Sequence, residues 1–342
     1  MHQHVTLRDI AKITGVHFTT VGLALRNDPR VRTATALKVQ DAARKLGYTQ
    51  DAMLSALSAY RHGKPRRFAG VLAFLVFYPP EALKTNITAL KLLTAVTAYA
   101  GSQGFGLESF RVNAPNMTGA RMSRMLRARG IQGVMLTHRL PSPGPMFDLD
   151  WQHFSTVAIG YSITDLNAHR ACPHHAHNMR LCLHKLRERG YHRIGFILQS
   201  DLYERTRGIL LGSYLAEQWL HPEDERIVPL VVKEVTKAVL GKWLSDQRID
   251  CVILSGYPVE VQAMIAELGY KVPDQMGLCV ISRFSKTEGM AGIDEQLDLL
   301  GEAAGTFLIS LLQHNERGLP FYPRYTLVEG CWVDRPTVRM PK

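Results

Sequence analysis

The chain has 342 residues, with 41 Lys and Arg against 30 Asp and Glu, and a formal net charge of +11. Hydrophobic residues make up 46% and charged residues 21%, which excludes a compositionally disordered chain, and the length suits two or three domains. The longest apolar stretch, residues 68–78, is about half as long as a membrane-spanning helix and no secretory signal follows Met1, so we expect a cytoplasmic protein without a membrane segment.

The positive charge is concentrated at the amino-terminal end. Residues 1–67 hold twelve Lys and Arg and four Asp, a net charge of +8, whereas the remaining 275 residues carry only +3. A basic module on a nearly neutral body is typical of a protein in which one part meets a polyanion. A basic face that is merely solvated is the alternative that charge alone leaves open.

Three short helices are predicted in this basic module. Thr6 and Asp9 have the spacing of a capping box, which predicts a helix from Leu7 to about Thr14 that Gly15 terminates. A second helix should follow from Val16 and His17. The small residue Ala11, the glycine turn and Val21 have the spacing of a helix-turn-helix.

A third helix is predicted from Thr33, as its N-cap, to Leu46. Several stretches of this region resemble the amino-terminal domain of the lactose-repressor (LacI/GalR) family of bacterial transcription regulators: residues 5–11, 15–16, 20–21, 24–25, 27 and 46–48. Matching stretches continue through most of the chain. The resemblance implies a helix-turn-helix DNA-binding domain over residues 1–50, followed by a hinge helix and linker over residues 51–67.

The resemblance also assigns contacts with an operator. It places residues at the start of and along the second helix in the major groove, namely His17, Phe18, Thr19, Thr20, Leu23 and Arg26. It places Thr6, Asn27 and Tyr48 on phosphates, where they orient the domain without reading sequence. The hinge helix, with Leu54, Ala56 and Leu57, would enter the minor groove and wedge Leu57 between base pairs. An ordinary amphipathic helix face is the alternative for these hinge residues.

The reading positions depart from those common in the family. His17 stands where many members have Ser, and Gly22 and Leu23 stand where many have Ser and Arg. Phe18 and Leu23 offer only apolar contact, for example to a thymine methyl group, whereas Thr19 can hydrogen-bond a base edge. The operator half-site need not therefore resemble those of other members.

The remaining residues alternate between predicted strands and helices. After the basic linker of residues 61–67, the buried strand of residues 70–76 begins a strand–helix–strand pattern that repeats as far as residue 282. This α/β pattern predicts doubly wound parallel sheets in two lobes, and the resemblance implies a periplasmic-binding-protein-like core for effector binding and dimerisation over residues 68–342. The expected first lobe comprises about residues 68–165 and 294–318, and the second about residues 166–293 and 319–342.

The resemblance implies a small-molecule effector between the lobes, at the carboxyl ends of the strands. Arg205 matches an arginine that contacts effector oxygens in the family. Three positions that often carry Asp or Asn in the family are His174, Ser255 and Ser282, which argues against an ordinary neutral sugar and leaves a larger, less polar or anionic ligand open. Further candidates at ends of first-lobe strands are Phe77, Tyr78 and His138, although aromatic residues there are as often core residues.

Other motifs argue against an enzyme, a cofactor or a metal. Residues 172–177 crowd Cys172 and three His together, but without a second ligand pair at recognisable spacing. No catalytic or phosphate-binding motif is present. The five cysteines lack a Cys-x-x-Cys pair, as expected in a reducing compartment. No heptad repeat follows Val338, so we expect a dimer.

We therefore expect a sequence-specific DNA-binding transcription regulator, with a repressor favoured, that binds a palindromic double-stranded DNA operator as a homodimer. A small molecule, in this family often derived from a carbohydrate, would modulate its affinity, either as inducer or as corepressor. The alternative is a cytoplasmic solute-binding protein or enzyme on the same two-lobed fold without operator binding.

Overall fold

The computed structural model describes residues 5–25, 31–46, 48, 69–77, 87–112, 114–137, 148–283 and 287–341. The chain divides into two compact units, Met1–Ala69 and Gly70–Lys342. The predicted hinge helix and linker, residues 51–67, lie outside the described residues. Within the described ranges, no helix combines the length and the apolarity that a membrane crossing requires.

The first unit contains helices Leu7–Thr14 (α1), Phe18–Ala24 (α2) and Thr33–Lys45 (α3) in its described part. The predicted capping box is present, since the Thr6 amide donates to Asp9 Oδ2 at 2.8 Å and the Asp9 amide donates to Thr6 Oγ1 at 3.4 Å. Gly15 ends α1 at φ 70°, a left-handed conformation that glycine adopts without steric cost.

The helices of this unit close over a small apolar core. Ile10, Val21, Ala24 and Val39 are fully buried in it, one or two from each helix. Arg32 takes the N-cap position of α3, so Thr33 is the first helical residue and not the cap that the sequence predicted. The apolar spacing of the three helices thus accounts for their packing.

The described part of the second unit contains two six-stranded sheets. All strands of the first sheet are parallel, and their spatial order is Tyr325–Val328 (β11), His169–Pro173 (β5), Ser155–Ile159 (β4), Gly133–Leu136 (β3), Gly70–Val76 (β1) and Phe105–Arg111 (β2). On one face lie helices Ile87–Ser102 (α4) and Leu297–Gln313 (α11), and on the other lies helix Gly119–Ala128 (α5).

The second sheet is parallel except for one edge strand. Its spatial order is Cys331–Val333 (β12), Ala291–Asp294 (β10), Gly277–Val280 (β9), Cys251–Leu254 (β8), Ile194–Gln199 (β6) and Leu230–Val232 (β7), and β12 runs antiparallel to β10. Five helices flank it: His175–Arg187 (α6), Ser200–Arg205 (α7), Ile209–Trp219 (α8), Lys237–Asp246 (α9) and Pro258–Glu267 (α10). Each sheet with its helices is one lobe of the second unit.

The chain passes between the lobes at three places in the described residues: between β5 and α6, between β10 and α11, and between β11 and β12. Strands β5 and β11 therefore belong to the first lobe, although the sequence placed residues 166–173 and 319–328 in the second. The strand signal of β5 is hidden because it carries the buried Arg170. The Arg170 guanidinium is satisfied by the carbonyl oxygens of Leu166 at 2.9 Å and Gly160 at 3.3 Å.

The first and third crossings are joined by hydrogen bonds. The Gly330 amide donates to Oδ1 of Asn178, a fully buried side chain on α6, at 2.8 Å. The His174 amide donates to the Val328 carbonyl oxygen at 2.7 Å. A side-chain bond across 152 residues of sequence thus fixes where the chain returns to the second lobe.

Asn178→Ala should lower the free energy of unfolding of the second unit by about 2 kcal/mol, because it leaves the Gly330 amide buried without an acceptor. All four tryptophans, Trp151, Trp219, Trp243 and Trp332, lie in that unit, so urea unfolding followed by tryptophan fluorescence reports on it alone. His184→Ala on the exposed side of the same helix is the control and should shift the midpoint little. Coincident unfolding curves for Asn178→Ala and the parent would show that this bond contributes nothing.

Candidate nucleic-acid interface and ligand cavity

The start of α2 forms an exposed surface of the first unit. His17 occupies the N-cap position, and its Nδ1 lies 2.8 Å from Thr19 Oγ1. The Phe18 ring is 42% exposed and packs beside the His17 ring, with 4.4 Å between the ring centroids. The Arg8 guanidinium lies 5.9 Å from the centroid of the same ring. A polar–aromatic surface with an adjacent cation therefore projects from this end of the helix.

The predicted major-groove residues fall on this side to different degrees. Thr19 is exposed, whereas Thr20 and Leu23 are half-buried. Val21 and Ala24 face inward and anchor the helix in the core. Arg26 and Asn27 lie outside the described residues, as do the hinge residues Leu54, Ala56 and Leu57. The residues most available to a base edge are accordingly His17, Phe18 and Thr19.

Two of the predicted phosphate contacts, Thr6 and Tyr48, already have partners within the protein. The Thr6 hydroxyl donates to Asp9 Oδ2 at 2.6 Å, and hydrogen bonds from Thr6 lower the pKa of the Asp9 carboxyl. Tyr48 is half-buried against the core of the first unit, and its amide donates to the Ala43 carbonyl oxygen at 2.9 Å. Thr6 thus acts as a helix cap in the structure, with its hydroxyl proton committed to a carboxylate.

A cavity of about 490 Å³ lies between the two lobes of the second unit. It is lined by residues at the carboxyl ends of strands from both sheets, among them Ile159 at the end of β4 and Leu254 at the end of β8, and by the starts of α6 and α11. Loops converge on this edge in open parallel sheets, which makes it the usual ligand position. The volume is within the range of small-molecule sites.

Three of the predicted effector residues line the cavity: Arg205, Ser255 and Ser282. The Arg205 Nη2 lies 3.7 Å from Asp201 Oδ2 one turn earlier on α7. Ser255 donates its hydroxyl proton to the Ile197 carbonyl oxygen at 2.9 Å, and Ser282 hydrogen-bonds Glu295. Arg205 is thus the cation of the cavity wall, and both serines are bound to protein groups.

The structure corrects the placement of two further predicted residues. His174 lies outside the cavity lining, because its Nδ1 caps α6 by accepting from the His177 amide at 3.2 Å. Phe77 also lies outside the lining and packs against the apolar cluster around Leu75 and Val134. Tyr78 and His138 fall outside the described residues. The type of residue at the end of a strand was therefore not enough to predict which residues line the cavity.

Two ionisable groups at the polar end of the cavity, Glu295 and His175, were not predicted from the sequence as effector contacts. Glu295 follows β10 and His175 begins α6, so both stand where the chain passes between the lobes. Their side chains are 14% and 11% exposed, and His175 Nδ1 lies 3.7 Å from Glu295 Oε1. The signal that could have found them is position, since residues at a crossing border both lobes.

Burial shifts the pKa of both groups toward the neutral form. It raises the pKa of the Glu295 carboxyl to about 7, against the lowering effect of the bond from Ser282, and Asp294 raises it further. Burial also lowers the pKa of the His175 imidazole to about 4, with a smaller contribution from His174. The Tyr161 ring stacks on His175, with 5.1 Å between the centroids.

The run of residues 172–177 forms a packed crossing. Cys172 is fully buried, and burial raises the pKa of its thiol to about 12. In the part of the chain that the structure describes, no group of three or more His, Cys, Asp or Glu side chains has an arrangement that could hold a metal ion.

The first unit matches a known family. The model of the family described as bacterial regulatory proteins, lacI family, matches residues 6–51. The sucrose operon repressors of Escherichia coli and Shigella flexneri are each 30% identical to the chain over 133 residues, which is 39% of this chain and 37% of either relative. The match thus spans little more than a third of the length of these curated relatives.

Solved structures resemble nearly the whole chain. A transcriptional regulator CelR–cellobiose complex has a TM-score of 0.57 at 17% identity, over 97% of this chain and 99% of that one. The lac repressor dimer bound to operator and the anti-inducer ONPF has a TM-score of 0.56 at 15% identity, over 99% and 100%. At these identities the likeness shows the fold, and the predicted fold class, a helix-turn-helix domain before a two-lobed α/β core, is confirmed.

Glu295→Gln and His175→Gln should alter the pH dependence of stability with opposite signs. Because the pKa of Glu295 is raised on folding, this group adds to the free energy of unfolding below pH 4.5, and that addition is lost as the pH rises to about 7. Across that window the free energy of unfolding of Glu295→Gln should therefore rise relative to that of the parent by on the order of 2 kcal/mol. Because the pKa of His175 is lowered on folding, the stability of the fold is unaffected by this group above pH 6.5 and falls as the pH drops to about 4. The free energy of unfolding of His175→Gln should therefore rise relative to that of the parent toward low pH.

Urea unfolding between pH 4 and 8, followed by tryptophan fluorescence, measures both differences. Each variant serves as the control for the other, since their windows end at different pH values. If the free energy of unfolding of each variant differs from that of the parent by the same amount at every pH, neither group titrates as its burial requires.

Proposed function

We propose that this chain, a member of the lacI family of bacterial regulatory proteins, is a sequence-specific DNA-binding transcription regulator whose operator affinity depends on a small molecule bound between the lobes of its second unit. The observation that carries the proposal is the exposed end of α2. Phe18 is 42% exposed and Thr19 is exposed, while Val21 and Ala24 hold the helix in a fully buried core.

This end of α2 has the chemistry of a major-groove reader. Thr19 offers a hydroxyl to a base edge, and Phe18 offers an apolar face to a thymine methyl group. The charge of +8 over residues 1–67 supplies the sequence-independent attraction to phosphates. Arg8, beside the Phe18 ring, adds a cation at the surface where the backbone of the DNA would pass.

The operator is proposed to be palindromic and to be bound by a homodimer. Each protomer contributes one α2, and residues 51–58 of the two protomers pair in the minor groove with Leu57 as the wedge. Unstacking a base step costs free energy, which is offset because bent DNA meets a larger area of the protein surface. A repressor is the form that the names of the similar sucrose operon repressors support.

Regulation is proposed to act through the spacing of the lobes. The cavity draws its wall from both sheets, so a bound molecule stabilises one separation of the lobes over another. If dimers with that separation place the two hinge helices differently, effector and operator affinities are linked reciprocally. The same linkage serves an inducer or a corepressor, according to which separation the ligand favours.

Selection of bound sequences from a random double-stranded DNA library by the full-length protein, at near-physiological salt, should enrich a palindrome. On that operator, Thr19→Ala and Phe18→Ala should each weaken binding roughly tenfold, because each removes one contact to a base edge. Leu37→Ala is the matched control, since Leu37 is a 61% exposed apolar residue of α3 in the same unit. Equal losses for all three variants, or no enriched sequence with and without metabolite pools, would contradict the proposal.

Leu57→Ala should lower operator affinity and reduce the bend of the bound DNA together, since a wedge acts by unstacking a step. Gel mobility of circularly permuted operator fragments measures the bend, and titration of the same fragments measures the affinity. Unchanged bending with unchanged affinity would remove the hinge from the mechanism.

A further inference from the structure

The walls of the interlobe cavity are mainly hydrocarbon. Phe74 and Leu92 from the first lobe face Leu254 and Val280 from the second, and Leu297 of α11 closes the same wall. All of these except Leu297 are largely buried core residues, so the cavity surface is continuous with the apolar clusters of both lobes. A ligand that fills such a space gains free energy by burying apolar surface.

Most hydroxyl groups on the wall already donate their proton to a protein group. Ser255 donates to the Ile197 carbonyl oxygen at 2.9 Å, and Thr206 donates to that of Leu202 at 2.8 Å. Thr137 donates to the Leu75 carbonyl oxygen at 3.0 Å. A polyol such as a sugar carries many hydroxyls that each need a partner when buried, and these side chains offer it few donors.

The pair formed by Glu295 and His175 differs from these hydroxyl groups. Their Oε1 and Nδ1 atoms are 3.7 Å apart, which is too long for a hydrogen bond. His175 Nδ1 is buried and has no hydrogen-bond partner among the described residues. A buried polar atom without a partner is rare in native proteins and costs free energy unless something completes it. Both side chains line the cavity, so a ligand can complete them.

We propose that the cavity takes a largely apolar molecule bearing one hydroxyl group, an alcohol or a phenol, and that this hydroxyl bridges Glu295 and His175. An oxygen atom about 2.8 Å from each of two atoms can span their separation of 3.7 Å. This inference rests on the proposed function in one respect, namely that the cavity is the effector site.

A hydroxyl suits this pair better than a charged group does. It donates to one partner and accepts from the other, so it fits whichever of the two side chains carries the proton. A ligand carboxylate would face the Glu295 carboxyl, and a ligand ammonium would share the cavity with the Arg205 guanidinium. Ser282 and the stacked Tyr161 hold the carboxyl and the imidazole in place.

Calorimetric titration of the full-length protein, without DNA, tests the inference with four probes: 4-propylphenol, its methyl ether 4-propylanisole, sucrose and cellobiose. The phenol should bind one molecule per chain and bind about tenfold more tightly than the ether, which has the same hydrocarbon body but no proton to donate. The two sugars should show no saturable binding. Because DNA is absent, failure to find an operator would sink the proposed function and leave this result standing.

Glu295→Leu should remove the preference for the phenol over the ether, because it replaces the bridging acceptor with hydrocarbon. That ratio of two affinities is insensitive to a general loss of stability, which circular dichroism monitors separately. Glu302→Leu, at an exposed position of α11 outside this cavity, is the control and should keep the ratio. Saturable binding of either sugar, no saturable binding of the phenol, equal affinity of phenol and ether for the parent, or a ratio that survives Glu295→Leu would overturn the inference.

Discussion

The buried hydrogen bond between Asn178 and the Gly330 amide is the constraint on which the second unit depends. It joins the start of α6, where the chain first enters the second lobe, to the turn through which it enters that lobe for the last time. The turn has no space for another side chain, because a Cβ on Gly330 would lie 2.5 Å from Ile293 and 2.7 Å from the Asp294 carbonyl oxygen. Close backbone approach at residue 330 thus brings the third crossing against the second. Two lobes that share no sheet are thereby held at one edge, next to the cavity.

The same convergence explains why ionisable groups meet in an apolar region. His175 lies on the first crossing and Glu295 on the second. A similar pair joins the first crossing to the third, with 3.4 Å between His177 Nδ1 and Glu329 Oε1. The outer pair is partly exposed and is therefore screened by solvent, so it contributes little. The inner pair is nearly buried, where the same chemical groups lose their hydration and their charge becomes costly. Burial, and not residue type, separates a surface ion pair from a ligand-binding pair.

Local signals in the sequence were sufficient for the described helices of the first unit, apart from the N-cap of α3, and for most parallel strands. The capping box of Thr6, the left-handed Gly15 and the apolar run of β1 each act over a few residues, and each lies where the pattern indicated. Strands β5 and β11 were not predicted from the sequence, because their signals are not local. The buried arginine of β5 is satisfied only by carbonyls of the preceding loop, and β11 alternates exposed and half-buried residues at the edge of its sheet. Their lobe membership follows from pairing, which a single sequence does not display.

The cavity shows the same limit at the level of chemistry. From the sequence, Ser255 and Ser282 were polar positions available to an effector, because the type of a residue fixes what it can donate. The structure shows which of these groups are already in use: Ser255 is bound to the Ile197 carbonyl oxygen and Ser282 to Glu295. A binding site is defined by the hydrogen-bonding capacity that folding leaves over, and here that remainder includes His175 Nδ1, beside the Glu295 carboxyl. Two chains with similar residues around such a cleft therefore differ in ligand wherever their folds commit the same hydroxyls differently.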